Sequence, residues 1–398
     1  MKLGIFFLML GYGLSQFYRS FLAVLSPALA EDLGASAADL SYASGIWFLV
    51  FAAAQLPIGV ALDRYGPRWI SVILVAIGGG GGGVMMALAH TPQDITLAMA
   101  FLGLGGAPVL MAAYFIFARA YPAALFSTLA GVIIGVGCFG NLAGSAPLAF
   151  VVAQVGWRAA MGGVALMAIG VAVALAFALS NQNPTPKPVG QALGSAGLLS
   201  LFRNKQVLLI LPMIIVNYAP NAAVRGLWAG PYLADVFGMD AQMIGNVTMG
   251  MALTMAVACF AFGPIERLIG SKKILILGAN TIGVLACAVL WAWPDSAWQI
   301  SALALAALGF FCSTYPVIMA HGQRLVPAHL TGRGITLFNF FCIGGVGLMQ
   351  FATGKMAAMM PAVFLGTPDF YAMIFASFGL VLAMGTVIYA FALDPKTS

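Results

Sequence analysis

Between residues 4 and 393 the chain is a succession of long apolar runs separated by short polar turns. A helix needs roughly 20 apolar residues to cross the hydrocarbon core of a bilayer. Only helices and closed barrels can satisfy every backbone polar group there. The runs fall at about 4–29, 37–62, 70–90, 95–121, 126–152 and 158–180, then at 207–234, 242–262, 273–292, 297–321, 335–354 and 370–393. They are continuous, unlike the alternating segments of about ten residues that build a membrane β-barrel. Of 398 residues only 7% are charged and 62% are hydrophobic, whereas a soluble domain carries about 25% charged residues. A water-soluble fold is excluded, and the pattern predicts an all-α polytopic membrane protein with 12 transmembrane helices.

Lys and Arg set the expected orientation. With the N-terminus inside, Lys2, Arg64, Arg68, Arg119, Lys187, Arg203, Lys205, Arg267, Lys272, Lys273, Arg324, Arg333 and Lys396 are cytoplasmic. Only Arg158 and Lys355 lie outside, together with most of the acidic residues, Glu31, Asp32, Asp94, Asp240 and Asp295 among them. The positive-inside rule then places both termini in the cytoplasm, as in a multi-pass protein of a bacterial inner membrane. The formal charge of +6 reflects this orientation and calls for no nucleic-acid partner. Lys2, the first apolar run and Ala28-Leu29-Ala30 imitate a signal peptide. Gln16, Tyr18 and Arg19 interrupt that run, however, and cleavage would leave an odd number of spans. The cysteines, Cys138, Cys259, Cys287, Cys312 and Cys342, all sit inside spans without paired spacing and read as packing residues. No cofactor or metal site is expected.

The longest polar stretch, residues 181–206, holds Pro184, Pro186 and Pro188 and falls between the sixth and seventh runs. It divides the chain into an N-terminal six-helix bundle (1–180), a cytoplasmic linker (181–206) and a C-terminal six-helix bundle (207–398). The two halves resemble each other. Arg19 precedes Pro27 and Glu31-Asp32-Leu33-Gly34 in run one, and Arg225 precedes Pro231 and Asp235-Val236-Phe237-Gly238 in run seven. Gly59 to Arg68 follows run two, and Gly263 to Lys273 follows run eight. Ala118-Arg119-Ala120-Tyr121-Pro122 ends run four, and Gln323-Arg324-Leu325-Val326-Pro327 ends run ten. Two parallel six-span repeats imply a pseudo-two-fold axis along the membrane normal, with substrate bound where the repeats meet. The glycine run Gly78 to Gly83 has neither the preceding strand nor the lysine of a phosphate-binding loop. It reads as a close helix contact.

These residues resemble the major facilitator superfamily over the whole chain. Its hallmark loop is similar to Gly59-x-x-x-Asp63-Arg64-x-Gly66-Pro67-Arg68, and the acidic-Arg pair recurs as Glu266-Arg267. A closer resemblance is to the organophosphate and organic-anion branch, through Tyr18-Arg19, Asp39-Leu40 and Asp63-Arg64, and through Arg225, Trp228 and Pro231-Tyr232-Leu233. The resemblance implies alternating access by a two-bundle transporter. It assigns anion binding to Arg19 and Arg225, and a cytoplasmic charge latch to Asp63, Arg64, Arg68, Glu266 and Arg267.

The intramembrane residues can be weighed on their own chemistry. Arg19 and Arg225 lie near mid-run, where an uncompensated arginine costs at least ~2.5–3.5 kcal/mol. No Asp or Glu lies mid-run to pair with them. They are either tied to backbone carbonyls or await an anion, which a guanidinium can bind through paired hydrogen bonds. Helical spacing groups Tyr12, Ser15, Gln16 and Arg19 on one face, and Tyr218, Asn221, Arg225 and Trp228 on another. Tyr114, Asn141, Tyr315, Asn339 and Gln350 can add hydrogen bonds or simply join helices. The expected substrate site is therefore Arg19, Arg225, Gln16, Tyr18, Tyr114, Asn141, Tyr218, Asn221, Trp228 and Tyr315.

The function this supports is secondary active transport of a small organic anion, a carboxylate, phosphate or sulfonate, by a monomer, with a counter-anion or proton as its partner. The alternatives are a multidrug or cation exporter and a Met-dependent copper importer. Copper transport would draw on the pairs Met239/Met243 and Met251/Met255 among 21 methionines. No catalytic constellation marks an enzyme.

Overall fold

The computed structural model describes residues 2–121, 123–179, 202–326 and 331–394. Most of the expected linker, 180–201, lies outside them. All regular structure among the described residues is helical. Among the described residues ten helical stretches are long and apolar enough to cross a membrane, and the shorter apolar helices Leu3–Phe17 and Leu129–Ala143 bring the spans to twelve. Polar caps start several of them. Ser36 and Asp39 form a reciprocal capping box at the head of span two, Ala37–Tyr65, and Thr91 and Asp94 do so for span four, Pro92–Ala120. Ser271 and Thr367 cap spans nine, Lys272–Ala292, and twelve, Pro368–Tyr389.

The chain packs as two compact units, Met1–Val189 with Asp240–Asn246, and Gly190–Met239 with Val247–Ser398. Within the first, span one packs on spans four, five and six, and span three on spans four and six. Within the second, span seven packs on spans ten, eleven and twelve, and span nine on spans ten and twelve. For these spans the neighbours match, ordinal position by ordinal position. The turns repeat as well. Glycines with positive φ occupy the connections after spans one, two and five (Gly34, Gly66, Gly156) and after spans seven, eight and eleven (Gly238, Gly270, Gly366). Gly34 N–H bonds Ala30 and Ala35 N–H bonds Leu29, while Gly238 N–H bonds Ala234 and Met239 N–H bonds Leu233. Both are the same left-handed helix ending, which a Cβ disfavours.

Several spans are broken. Span one consists of Lys2–Phe17 and Phe21–Leu33, separated by the turn Tyr18-Arg19-Ser20. Span seven runs Lys205–Asn217, Ala219–Ala223, a π-helix at Val224–Trp228, and Ala229–Phe237. Pro220, without an N–H, cannot continue the α ladder there. Span ten breaks at Cys312-Ser313-Thr314, between Trp298–Phe311 and Tyr315–Leu325. Span five, Ala123–Ala143, bends at Gly144-Ser145 and runs on to Gly156, where φ of 78° turns the chain into span six. The glycine run of span three lies partly in a second π-helix, Val75–Gly81. A Cβ on Gly78 would stand 2.3 Å from Gly105 N, and one on Gly105 would stand 2.2 Å from Gly79 N. Spans three and four therefore meet backbone to backbone at Gly78 and Gly82, while Gly80 and Gly83 of the same run face Ile169 and Ala165 of span six.

Candidate functional site

In the first unit the site is built around the break in span one. Arg19 sits in that turn, half-buried, with its guanidinium carbon 5.3 Å from the Trp47 ring centroid and 4.8 Å from that of Phe51. Trp47 and Phe51, one turn apart on span two, are stacked at 5.0 Å and 17°. They form an aromatic shelf beneath the cation. Arg19 has no carboxylate partner among the described residues. Its Nε and the indole Nε1 of Trp47 are both buried and donate to nothing among them. Trp47, which no sequence signal distinguishes from a packing residue, thus joins the site through a second unused N–H.

The polar stripe of span one continues away from Arg19. Gln16 donates from Nε2 to the Tyr12 hydroxyl at 2.6 Å, and its Oε1 accepts from Asn141 Nδ2 at 3.2 Å. This chain ties spans one and five, which can approach because Gly140 lies against Gly13: a Cβ at Gly140 would stand 1.9 Å from Gly13 O. Tyr18 is buried and its hydroxyl donates to Gly79 O at 3.5 Å, so it secures span one to the π-helix of span three. Tyr114 is half-buried, its ring 6.4 Å from that of Phe117.

In the second unit Arg225 lies inside the π-helix of span seven and is 0% exposed. A π turn is rare and frequently marks a functional position. Trp228 donates from Nε1 to Thr353 Oγ1 at 3.1 Å and packs 6.0 Å from the Phe370 ring, bracing span seven against spans eleven and twelve. Gln350 donates to Ala223 O at 3.2 Å, a carbonyl at the entry to the π-helix. Asn221, also 0% exposed, donates to Ser313 Oγ at 3.0 Å. Tyr218 and Tyr315 are half-buried with rings 6.5 Å apart, and the Tyr315 hydroxyl donates to Asn339 Oδ1 at 2.7 Å. Asn217, Asn280, Ser313 and Thr314 complete this polar cluster. Asn217 and Asn280 stand in the middle of apolar runs, a signal the sequence did carry.

Among the expected gating residues, the side chain of Asp63 lies outside the described residues. Arg64 is exposed over the Tyr65 ring at 5.3 Å. Arg68 lies 4.8 Å from the Trp69 ring, with its Nε buried and without an acceptor among the described residues. Glu266 is ion-paired with Lys272 at the head of span nine, and Arg267 is exposed. Lys272 is thus a further member of this charge group.

Twelve apolar spans arranged as two repeats, with an arginine at a helix break in the leading span of each, define a polytopic membrane transporter and not an enzyme. The model of the Major Facilitator Superfamily matches residues 8–349, and the chain belongs to that superfamily. It is 23% identical over 417 residues to the "Probable L-galactonate transporter" of Escherichia coli (strain K12), covering 94% of this chain and 85% of that one. It is 25% identical over 147 residues to the "Uncharacterized transporter YybO" of Bacillus subtilis (strain 168), covering 37% and 34%. Among solved structures, the nucleoside transporter NupG superposes with a TM-score of 0.74 at 14% identity over 98% of both chains. A bacterial homologue of the human lysosomal transporter Spinster, inward-facing and occupied, gives 0.75 at 16% identity over 98% of this chain and 96% of that one. These structural likenesses establish the fold.

Proposed function

We propose that this protein is a secondary active transporter of a small organic anion in a bacterial inner membrane, with both termini cytoplasmic and with Arg19 and Arg225 as the anion's principal ligands. The observation that carries this reading is Arg19 itself, a mid-run cation with no carboxylate partner among the described residues. Its aromatic shelf offsets about 0.5–2 kcal/mol, against a cost of at least ~2.5–3.5 kcal/mol for an uncompensated arginine. The remainder is what a bound anion supplies. Trp47 Nε1 adds a second, neutral donor beside Arg19, and Gln16, Tyr12 and Asn141 form a hydrogen-bonded polar group between spans one and five. Galactonate, named for the E. coli relative, is a carboxylate, which also favours an anion over the cationic drugs or copper of the alternatives. A cation would be repelled by both arginines.

Asp63, Arg64 and Arg68 with Glu266 and Arg267 are proposed to close the cytoplasmic side, Lys272 competing with Arg267 for Glu266. The test is a thermal-shift screen of the purified protein against carboxylates, phosphates, sulfonates, cationic drugs and copper, followed by uptake in proteoliposomes. A ligand that binds the folded state raises its melting temperature. Stabilisation and transport of an anion are expected. Transport of cations with indifference to every anion would sink the proposal.

A further inference from the structure

The second repeat holds a buried histidine that neither the anion site nor the charge group uses. His321, in the Tyr315–Leu325 segment of span ten, is 0% exposed. Its Nε2 lies 2.9 Å from Leu393 O and its Nδ1 lies 2.6 Å from the Tyr389 hydroxyl. A carbonyl oxygen only accepts, so the hydrogen is on Nε2, and Nδ1 accepts from Tyr389. The ring is neutral in this arrangement and both nitrogens are filled. Tyr389 ends span twelve, and past it the chain turns back, Phe391 N–H donating to Ile388 O and Ala392 N–H to Tyr389 O. Leu393 and Asp394 are then held from three sides. Leu393 O meets His321, Leu393 N–H donates at 2.8 Å to Gln206 Oε1 in the first turn of span seven, and Asp394 accepts from the hydroxyl of Ser271, the cap of span nine. Asn204 adds a bond from the start of span seven to Leu325 O at 3.0 Å. The segment after span twelve thus joins the ends of spans seven, nine, ten and twelve.

The first repeat closes the same place without a titratable group. When Arg119-x-x-Pro122 is set on Arg324-x-x-Pro327, His321 falls on Ile116, which is buried. Past span six Leu179 packs on span one, where a Cβ on Gly4 would stand 2.5 Å from Leu179 Cδ2. Packing alone does not call for a histidine at 321.

A proton added at Nδ1 sets a second hydrogen against that of the Tyr389 hydroxyl. Tyr389 is buried and its hydroxyl has no other partner among the described residues, so a hydrogen turned away from His321 goes unmet. The new charge is also enclosed, which is costly without a matched partner. The charged groups acting on the ring are Lys272, Arg324 and Asp394. Lys272 is paired with Glu266, whereas Arg324 and Asp394 are exposed. Span seven offers the neutral Gln206, its Lys205 being exposed, and span eleven offers Phe338 beside Gly322. One exposed carboxylate among two cations does not compensate an enclosed imidazolium.

We infer that His321 is a proton-operated clasp: neutral, it holds the segment 390–394 across the second repeat, and protonated, it releases it. Gln206 belongs to the Lys205–Asn217 segment of span seven and His321 to the Tyr315–Leu325 segment of span ten. These segments meet at their helix breaks, where Asn217 donates to Thr314 Oγ1 at 2.9 Å. Release frees their far ends. Under the proposed orientation the clasp faces the cytoplasm and makes the protein responsive to acidification there, whichever solute it carries.

The experiment is amide hydrogen exchange on the purified full chain without ligand, read on the peptide containing Leu393 and corrected for the pH dependence of exchange in an open chain. A ring that charges only after release draws the clasp open by about tenfold per pH unit below the ordinary histidine value of about 6.5. Wild-type protection is therefore expected to drop by about tenfold between about pH 7.5 and about pH 5.5. His321→Gln, which has a donor and an acceptor and does not titrate, should give the same protection at both values, whether high or low. Asp394→Asn, which alters an exposed group and keeps the histidine, should retain the drop. Equal protection of the wild type at both values overturns the inference. So does a drop that survives His321→Gln, and so does one that vanishes in Asp394→Asn, which would make the carboxylate the sensor. No transported solute enters these measurements, so their failure leaves the anion-transporter reading untouched.

Discussion

The two repeats carry the same charge at the same ordinal position and hold it differently. Arg19 is half-buried in a three-residue turn, lying on the faces of Trp47 and Phe51. Arg225 is fully enclosed in a π-helix braced by Trp228 to Thr353 and by Gln350 to the Ala223 carbonyl. A break of either kind releases the backbone from strict α periodicity and lets a charged side chain sit in an apolar run. The aromatic shelf leaves the guanidinium edge available while its face is covered. The π-helix instead fixes the cation inside a packed and hydrogen-bonded wall. From this difference we expect Arg19 to act chiefly through ligand contact, and Arg225 to act on both ligand and fold.

Charge-preserving substitutions test that distinction most strongly. Charge-assisted hydrogen bonds are worth about 1.5–3 kcal/mol, or roughly 10- to 150-fold in affinity, and lysine loses the fork that makes two of them. Arg19→Lys and Arg225→Lys are each expected to lower anion affinity within that range, and the glutamine variants more. Melting temperatures should separate the pair, with Arg19→Lys close to wild type and Arg225→Lys clearly below it, because an ammonium cannot fit the enclosed guanidinium's place. Equal losses of melting temperature would erase the contrast.

The close contact of the leading span with the fifth span of its own repeat gives the next largest effect, and here the repeats should agree. A Cβ on Gly140 would fall 1.9 Å from Gly13 O, and a Cβ on Gly345 would fall 2.1 Å from Ile215 O. Both obstacles are backbone, which cannot swing aside as a side chain can. Gly140→Ala and Gly345→Ala should each cost about 1–3 kcal/mol by overpacking, seen as a lowered melting temperature and reduced transport in both repeats. A silent change at one position would mean that one leading span is free to shift where its counterpart is not.

Trp47→Phe asks for less. Phenylalanine keeps the shelf under Arg19 and removes only the indole N–H, worth about 0.5–1.5 kcal/mol or roughly 2- to 12-fold in affinity. Melting temperature should hold. Phe51→Leu does the converse, weakening the shelf while sparing the donor. If Trp47→Phe binds anions as the wild type does, the buried N–H has no part in the site.

Much of this could be read from the sequence, for a physical reason. Hydropathy over twenty residues reports the solvent a helix must cross, so the twelve spans and the mid-run arginines are legible without coordinates. The six left-handed glycines were half visible, Gly34 with Gly238 and Gly66 with Gly270 lying in matching segments, whereas Gly156 and Gly366 sit in segments that do not look alike. The breaks were not legible. A helical wheel assumes one period throughout, so it places Trp228 on the face of Arg225, while Tyr18 comes to the site only through the family resemblance. Across the turn at 18–20 and the π-helix at 224–228 the period resets. Tyr18 then bonds Gly79 O and Trp228 bonds Thr353. Trp47 was invisible because an indole inside an apolar run looks the same whether or not its N–H is used.

The smallest expected effect lies outside the membrane, where the repeats again solve one problem with different groups. Beyond the first apolar run, in the last turn of the Phe21–Leu33 helix, Asp32 accepts from Trp157 Nε1 at 2.7 Å and from Arg158 Nη1 at 2.8 Å, and Arg158 also donates to Ala89 O at 3.3 Å. These bonds tie the ends of spans one and three to the head of span six. At the matching end of the second repeat Asp235 accepts from the Tyr371 hydroxyl of span twelve, a neutral partner. The Trp157 hydrogen bond, followed by that from Arg158, holds the Asp32 carboxyl below its ordinary 3.8. A carboxylate whose folded value is depressed stabilises the fold above its unfolded pKa, and that contribution disappears as pH falls through the folded value. Asp32→Asn should therefore melt slightly below wild type at pH 6 to 7, with the gap closing below about pH 4. Both groups are solvent-exposed, so the gap should be small and should shrink in high salt. A gap that persists unchanged at pH 3 would mean that Asp32 acts through its shape and hydrogen bonds and not through its charge.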